Sequence, residues 1–342
     1  MNVEKQIAKS SPGYAMLDYL EKLYKTHKPR MRFQAKTQEE WRLWQKEFRQ
    51  KIIELFGCFP SNKRPLNPHT LGKEEEEFYF KEKIVFESMP GIKVVGYLLI
   101  PKEVTFPRPA LLCPPGHGRG KADGIEKGAY CDYGVRFAEE GYVTFVMDHI
   151  GFGERATSDR KDYSGDWRED EYSLIVNICH LFGMSIQGFR VYDLIRSLDY
   201  LETRDEVEKK RIGCIGLSLG GELTVYLAAL DERVRVTIIC GWLSTFKETI
   251  LSSLHCTCAY VPGILKYGEM QDISGLIAPR PLLIQSGKKD RGFPTSGALK
   301  AYESTKRVYQ FLETEERIAI ETFDGGHAWS ERKAFSWIKK WL

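Results

Sequence analysis

The sequence has no stretch approaching the roughly 18 consecutive apolar residues that a membrane-spanning helix requires. Its first residues, Met1–Ser10, are polar and mixed in charge, without the apolar segment of a secretory signal. Charge of one sign is also missing. Fifty Lys and Arg stand against 47 Asp and Glu, a formal net charge of +3. The basic runs are short, Lys209-Lys210-Arg211 and Lys288-Lys289, and read as solvated surface. A nucleic-acid-binding face, which needs clustered basic residues, is not expected, and neither is a membrane partner. No internal repeat is present, and no low-complexity tract is longer than Glu74–Glu77, which excludes a solenoid or an extended polar tail. Nor is there a cysteine framework. The eight cysteines (58, 113, 131, 179, 214, 240, 256 and 258) are scattered, several inside apolar runs. Free buried thiols in a reducing cytoplasm are the expected state.

The chain has 342 residues, 42% of them hydrophobic, enough to bury a large core in one α/β domain with additions or in two smaller domains. The first 60 residues read as helical. Tyr14–Tyr24 is one apolar-periodic stretch and Thr37–Phe56 the second, opened by a capping box of Thr37 and Glu40. Trp41, Trp44, Phe48, Ile52 and Leu55 then recur at helical spacing, as a face packed on the main domain, an oligomer contact or a cap over the pocket. Pro60–Pro68 is a turn-rich linker. Beyond it the period changes: Glu77–Phe86 and Ile92–Ile100 around Met89-Pro90-Gly91 predict a hairpin.

From there apolar strands (Ala110–Cys113, Tyr142–Met147, Arg211–Ile215, Val234–Cys240, Pro281–Gln285, Arg317–Thr322) alternate with helical segments (Tyr133–Glu140, Ser185–Glu202, Leu219–Ala229, Pro294–Phe311, Ala328–Leu342). This alternation predicts an α/β fold with a mostly parallel central sheet, helices on both faces and functional groups at the carboxyl ends of strands. The expected division is an N-terminal helical extension over residues 1–70 and a catalytic domain over 71–342. A lid insertion is expected at 154–184, where a charge-rich stretch with Tyr163 and Trp167 has no clear period; the alternative is a solvated loop.

The sharpest motif is Gly216-Leu217-Ser218-Leu219-Gly220. It follows the apolar strand Arg211–Ile215 and opens a helix, the context of a nucleophile elbow. The glycines permit a tight turn that lifts the Ser218 hydroxyl above the sheet at a helix N-terminus. A serine needs a base. His327 is the histidine that follows a late strand, on the glycine-rich loop Phe323-Asp324-Gly325-Gly326-His327. The acid that orients it should follow the intervening strand, Pro281–Gln285, which leads into Ser286-Gly287-Lys288-Lys289-Asp290. Asp290 is that acid; Asp324, three residues from the histidine, is the alternative.

An oxyanion needs backbone N–H donors. One is expected from Leu219, just after the nucleophile. The other is expected in Pro114-Pro115-Gly116-His117-Gly118-Arg119-Gly120, from the Arg119 amide with Gly118 shaping the turn. His117 is expected to brace that loop by hydrogen bonds. The loop is no phosphate cradle, because the Gly-Lys-Ser/Thr ending is absent. No organic cofactor or metal is expected. His255-Cys256-Thr257-Cys258 has soft ligands at close spacing, but no second Cys/His pair is obvious, and Cys179-His180 could join only through folding. Asp148, at a strand end, is expected to brace its own glycine-rich loop.

At these residues the sequence resembles the α/β-hydrolase superfamily, and within it the acetyl xylan esterase and dienelactone-hydrolase-like branch. Asp148-His149-Ile150-Gly151-Phe152-Gly153 resembles the branch's post-strand loop. Gly188-Phe189-Arg190-Val191-Tyr192-Asp193-Leu194 and Leu198-Asp199-Tyr200-Leu201 are similar to its helix before the elbow strand. Ile277-Ala278-Pro279-Arg280-Pro281 is similar to its approach to the acid strand. The likeness runs from about Lys81 to the C-terminus. It implies the α/β-hydrolase fold and a short-chain carboxylesterase, often acting on acetylated sugars, without cofactor. One departure is Gly118-Arg119 after the loop histidine, where the sugar deacetylases usually place an aromatic residue. The expected activity is therefore hydrolysis of small-molecule, acetyl-type esters by a cytoplasmic serine hydrolase; a homo-oligomer is compatible with the sequence. An amide-bond hydrolase with the same triad and a non-catalytic binding protein on a hydrolase fold are the alternatives.

Overall fold

The computed structural model describes residues 15–156 and 171–342. In chain order the elements are α1 (Met16–Thr26), α2 (Gln38–Phe56), β1 (His69–Glu75), β2 (Tyr79–Met89), β3 (Ile92–Pro101), β4 (Arg108–Leu112), α3 (Lys121–Ile125), α4 (Tyr133–Glu139), β5 (Val143–Met147), α5 (Glu171–Leu181), α6 (Ile186–Leu201), β6 (Val207–Leu217), α7 (Leu219–Leu230), β7 (Val234–Cys240), α8 (Met270–Gly275), β8 (Leu282–Gly287), α9 (Thr295–Phe311), β9 (Ile318–Phe323) and α10 (Glu331–Trp341). Among the described residues no single helix is long and apolar enough to cross a membrane.

The strands form one sheet in the order β1-β2-β3-β5-β4-β6-β7-β8-β9. The first four in that order pair antiparallel, and all later pairs are parallel. The parallel alternation expected from the sequence is thus the architecture found. The residue pattern explains which strands lie where. The last six residues of β6 are all buried, as a central strand covered on both faces must be. β2 alternates buried and half-buried positions, as a strand with one wetter face does. β4 sits between β5 and β6, so the chain leaves β4 to one side and returns to the other. The crevice at the carboxyl ends of β4 and β6 is where such a reversal places a ligand site.

Of the two N-terminal helices, α2 is part of the main packing, while α1 buries no residue. The α2 capping box forms as expected: Glu40 N donates to Thr37 Oγ1 at 3.2 Å and Thr37 N to a Glu40 carboxylate oxygen at 3.3 Å. The helix ends at Gly57, whose φ of +67° suits glycine. Its face of Phe48, Ile52 and Phe56 is fully buried in the same core cluster as β2, β3 and α6. Each such side chain contributes about 1.5–3 kcal/mol of burial.

Several elements differ from expectation, among them the short helices α3 and α8, which no periodic pattern announced. β1 has no apolar alternation because every residue in it is exposed. Its pairing with β2 rests on backbone hydrogen bonds and on ion pairs such as Lys73–Glu82, which no hydrophobic pattern announces. The region expected as a lid, 154–184, contains α5 at its C-terminal end, while 157–170 lie outside the described residues. α10 begins at Glu331 rather than Ala328. Ser330 before it is extended, and the segment is pinned by the Trp329 indole N–H donating to Asp132 at 2.9 Å and Ser330 N to Gln285 Oε1 at 3.1 Å.

Candidate active site

The turn from β6 into α7 is tight for reasons visible at each glycine. A Cβ on Gly216 would lie 2.2 Å from the Gly220 carbonyl oxygen, and one on Gly220 would lie 2.1 Å from the Pro114 carbonyl oxygen. Glycine at 216 closes the elbow, and glycine at 220 seats the post-β4 loop against it. Between them Ser218 takes φ 59° and ψ −121°, a region that costs a non-glycine residue about 1–3 kcal/mol. Its N–H donates to the Cys240 carbonyl at 3.0 Å, which fixes the turn to β7. The side chain is half-buried at the first turn of α7.

His327 is brought in by the loops after β8 and β9, which are laced together. Lys288 N donates to Phe323 O at 2.9 Å and Lys289 N to Gly325 O at 2.8 Å. A Cβ on Gly287 would stand 2.0 Å from Gly326 O, so the approach requires glycine. The result places His327 Nδ1 2.6 Å from Asp290 Oδ2. The Asp290 side chain is 2% exposed and the His327 side chain 33% exposed. Burial would raise the Asp290 carboxyl. The hydrogen bond and charge of His327, with N–H bonds from Phe293 and Gly292, outweigh it and hold the carboxyl below the usual carboxylate range. Asp324, the alternative acid, is exposed and ion-paired to Lys289 at 3.0 Å, away from the ring.

Residues not singled out in the sequence complete the setting. The Tyr130 ring lies 5.9 Å from that of His327, and its phenol feels the Ser218 hydroxyl. Burial raises the Tyr130 phenol, which keeps it neutral. Phe293 stacks on the imidazole, 5.6 Å away at 16°, and Trp242 packs on Phe293 at 5.3 Å. A Cβ on Gly241 would lie 3.1 Å from the imidazole Cε1 and Nδ1. The spacing Asp290-x-x-Phe293 was readable as a companion to the acid; nothing in the sequence marked Tyr130.

The Leu219 N–H, at the first turn of α7, has no acceptor among the described residues, as expected at a helix start. The other oxyanion expectation needs correction. The Arg119 N–H donates to Asp123 Oδ2 at 2.7 Å, and its guanidinium to Asp123 and Glu126, so this amide is already committed. Four residues from Arg119, Asp123 shapes the loop by drawing that amide in. A Cβ on Gly118 would meet the same carboxylate at 2.2 Å. The neighbouring loop supplies the bracing expected of Asp148. That buried carboxylate accepts from Lys121 N at 2.8 Å, Lys121 Nζ at 2.5 Å and Glu154 N at 3.0 Å, and His149 Nε2 bonds the Pro115 carbonyl at 2.9 Å. His117, expected to brace its own loop, lies with its Nε2 3.5 Å from Cys258 Sγ.

A profile described as an Abhydrolase family matches residues 13–317. The chain belongs to the Abhydrolase family. The Bacillus subtilis (strain 168) protein named "Putative hydrolase YtaP" is 30% identical over 309 residues, 86% of this chain and 99% of that one. Among solved structures, this Abhydrolase chain is similar to one from Bacteroides fragilis described as "a putative acetyl xylan esterase". The TM-score is 0.77 at 21% identity, covering 93% of this chain and 84% of that one. It is also similar to an acetyl xylan esterase from Paenibacillus sp. R4, with a TM-score of 0.62 at 18% identity over 94% of this chain and 99% of that one. These likenesses establish the α/β-hydrolase fold expected from the sequence.

Proposed function

We propose that this Abhydrolase chain is a serine carboxylesterase that hydrolyses short, acetyl-type esters, with carbohydrate esters as the favoured class, through an acyl-enzyme intermediate. The observation that carries the reading is the 2.6 Å contact of buried Asp290 with His327, whose ring meets Gly241 alongside Leu217, the chain neighbour of the strained Ser218. Ser218 Oγ attacks the ester carbonyl carbon as His327 Nε2 takes its proton. The oxyanion is received by the Leu219 amide and by a donor at the Gly118 end of the post-β4 loop. The imidazolium returns the proton to the leaving alkoxide, which departs as the alcohol. Water then adds to the acyl-enzyme, giving its proton to His327, and Ser218 leaves reprotonated as the acid is released. Asp290 stays ionised throughout and stabilises the imidazolium; its lowered pKa supports that role. The aromatic wall of Phe293 and Trp242 supports a small acyl group, and the names of the Bacteroides and Paenibacillus proteins support acetyl esters of sugars.

A chain-length series of nitrophenyl esters, followed by acetylated xylo-oligosaccharides, tests this. kcat/KM is expected to fall about tenfold or more from acetate to octanoate, with acetate released from the sugars and aminoacyl anilides scarcely turned over. Preference for long acyl chains or for anilides would overturn the substrate class.

A further inference from the structure

An imidazole from the loop after β4 and two thiols from the Cys256-Thr257-Cys258 turn, far away along the chain, meet in the fold. Cys258 Sγ lies 3.5 Å from His117 Nε2 and 3.2 Å from Cys256 Sγ. The three ligand atoms all fall within 4.8 Å of one another. Cys258 is fully buried, and His117 and Cys256 are half-buried. His255, the more obvious partner in sequence, turns away: its Nε2 is 3.1 Å from Ser253 Oγ and its ring packs against Phe293. His117 takes its place from the post-β4 loop.

The donor set is selective. Two sulfurs and one imidazole suit a thiophilic ion and not Mg2+ or Ca2+, which take oxygen ligands. A tetrahedral zinc centre with Zn–S of about 2.3 Å and Zn–N of about 2.0–2.1 Å has S···N edges near ~3.5 Å and S···S edges near ~3.8 Å. The observed S···N separation matches, and the S···S separation is about half an ångström short, within reach of a small side-chain rotation. A disulfide would need the sulfurs about 2.05 Å apart, and at 3.2 Å Cys256 and Cys258 are not joined to each other. The supports are firm. Ala259 N donates to Cys256 O at 3.0 Å in a 3-10 turn, Gly116 N donates to Cys131 Sγ at 3.2 Å, and the His117 ring packs edge-on to Phe152.

We propose that His117, Cys256 and Cys258 form a binding site for a thiophilic cation of the Zn2+ type, supplying three ligands from among the described residues. The bound cation would tie the loop after β4, which leads into the Ser218 cleft, to the segment around Cys256. This site does not depend on the esterase reading, and its test does not use turnover.

The experiment is anaerobic titration of the full-length, metal-stripped protein with Co2+, in the presence of a non-thiol reductant. One equivalent is expected to produce a thiolate-to-cobalt charge-transfer band and the intense visible bands of tetrahedral cobalt, and Zn2+ should displace both. Cys256→Ser and His117→Gln should each weaken binding about tenfold or more, with circular dichroism unchanged. Cys58→Ser, a half-buried thiol outside the cluster, should bind as the parent does. The proposal is overturned if stoichiometric cobalt gives no thiolate band, or if the band persists undiminished in Cys256→Ser and His117→Gln. It is equally overturned if the reduced protein has a mass showing Cys256 and Cys258 joined as a disulfide.

Discussion

Ser218→Ala is expected to lower kcat for a short-chain ester by about 10^4–10^6-fold, measured on the purified protein with nitrophenyl acetate. The substitution removes one oxygen and keeps the Cβ, so the backbone strain at φ 59° is the same in both proteins. Stability should therefore change little, and a loss of activity can be assigned to the missing nucleophile. A residual rate above that of water is expected, because the Leu219 amide and the cleft remain. A Ser218→Ala protein that retained a tenth of parental turnover would show that another group attacks the ester.

Asp290→Asn is the second large effect. The amide can still contact His327 Nδ1, but it removes the negative charge and favours the wrong tautomer, so kcat should fall by about 10^4-fold. Asp324→Asn is the matched control. Its carboxylate is 76% exposed and pairs with a solvent-facing lysine, so kcat should stay within about threefold of the parent. The pair of variants separates the two candidate acids by several orders of magnitude. Asp290 also leaves a mark on stability. Its pKa is lower in the folded protein, so its contribution is present above the usual carboxylate pKa and is lost as pH falls through the folded value. Urea denaturation of the parent should weaken on acidification, and Asp290→Asn should lack that component.

The sequence carried the parts of this site that depend on local rules. An apolar strand, a glycine-flanked serine and an apolar helix can form only a few turns, and the glycines at 216 and 220 prove necessary by close approach. The order of strand ends then placed Asp290 and His327, and their contact follows from the parallel topology. Arg119 was misjudged because a carboxylate four residues away takes its amide, a local competition that loop composition does not reveal. β1 escaped notice because an exposed edge strand leaves no hydrophobic period. Tyr130 and the meeting of His117 with Cys258 were out of reach for a different reason. They join loops separated along the chain, in the last pair by 141 residues, and only the folded sheet brings them together.

The account rests on the nucleophilicity of one hydroxyl, and labelling with a fluorophosphonate probe measures that directly. The parent should be labelled once, with the adduct mapped by peptide mass spectrometry to Ser218, and labelling should fall in parallel with activity in Asp290→Asn. A protein that hydrolyses esters while carrying no adduct at Ser218, or carrying it on another residue, would contradict the account.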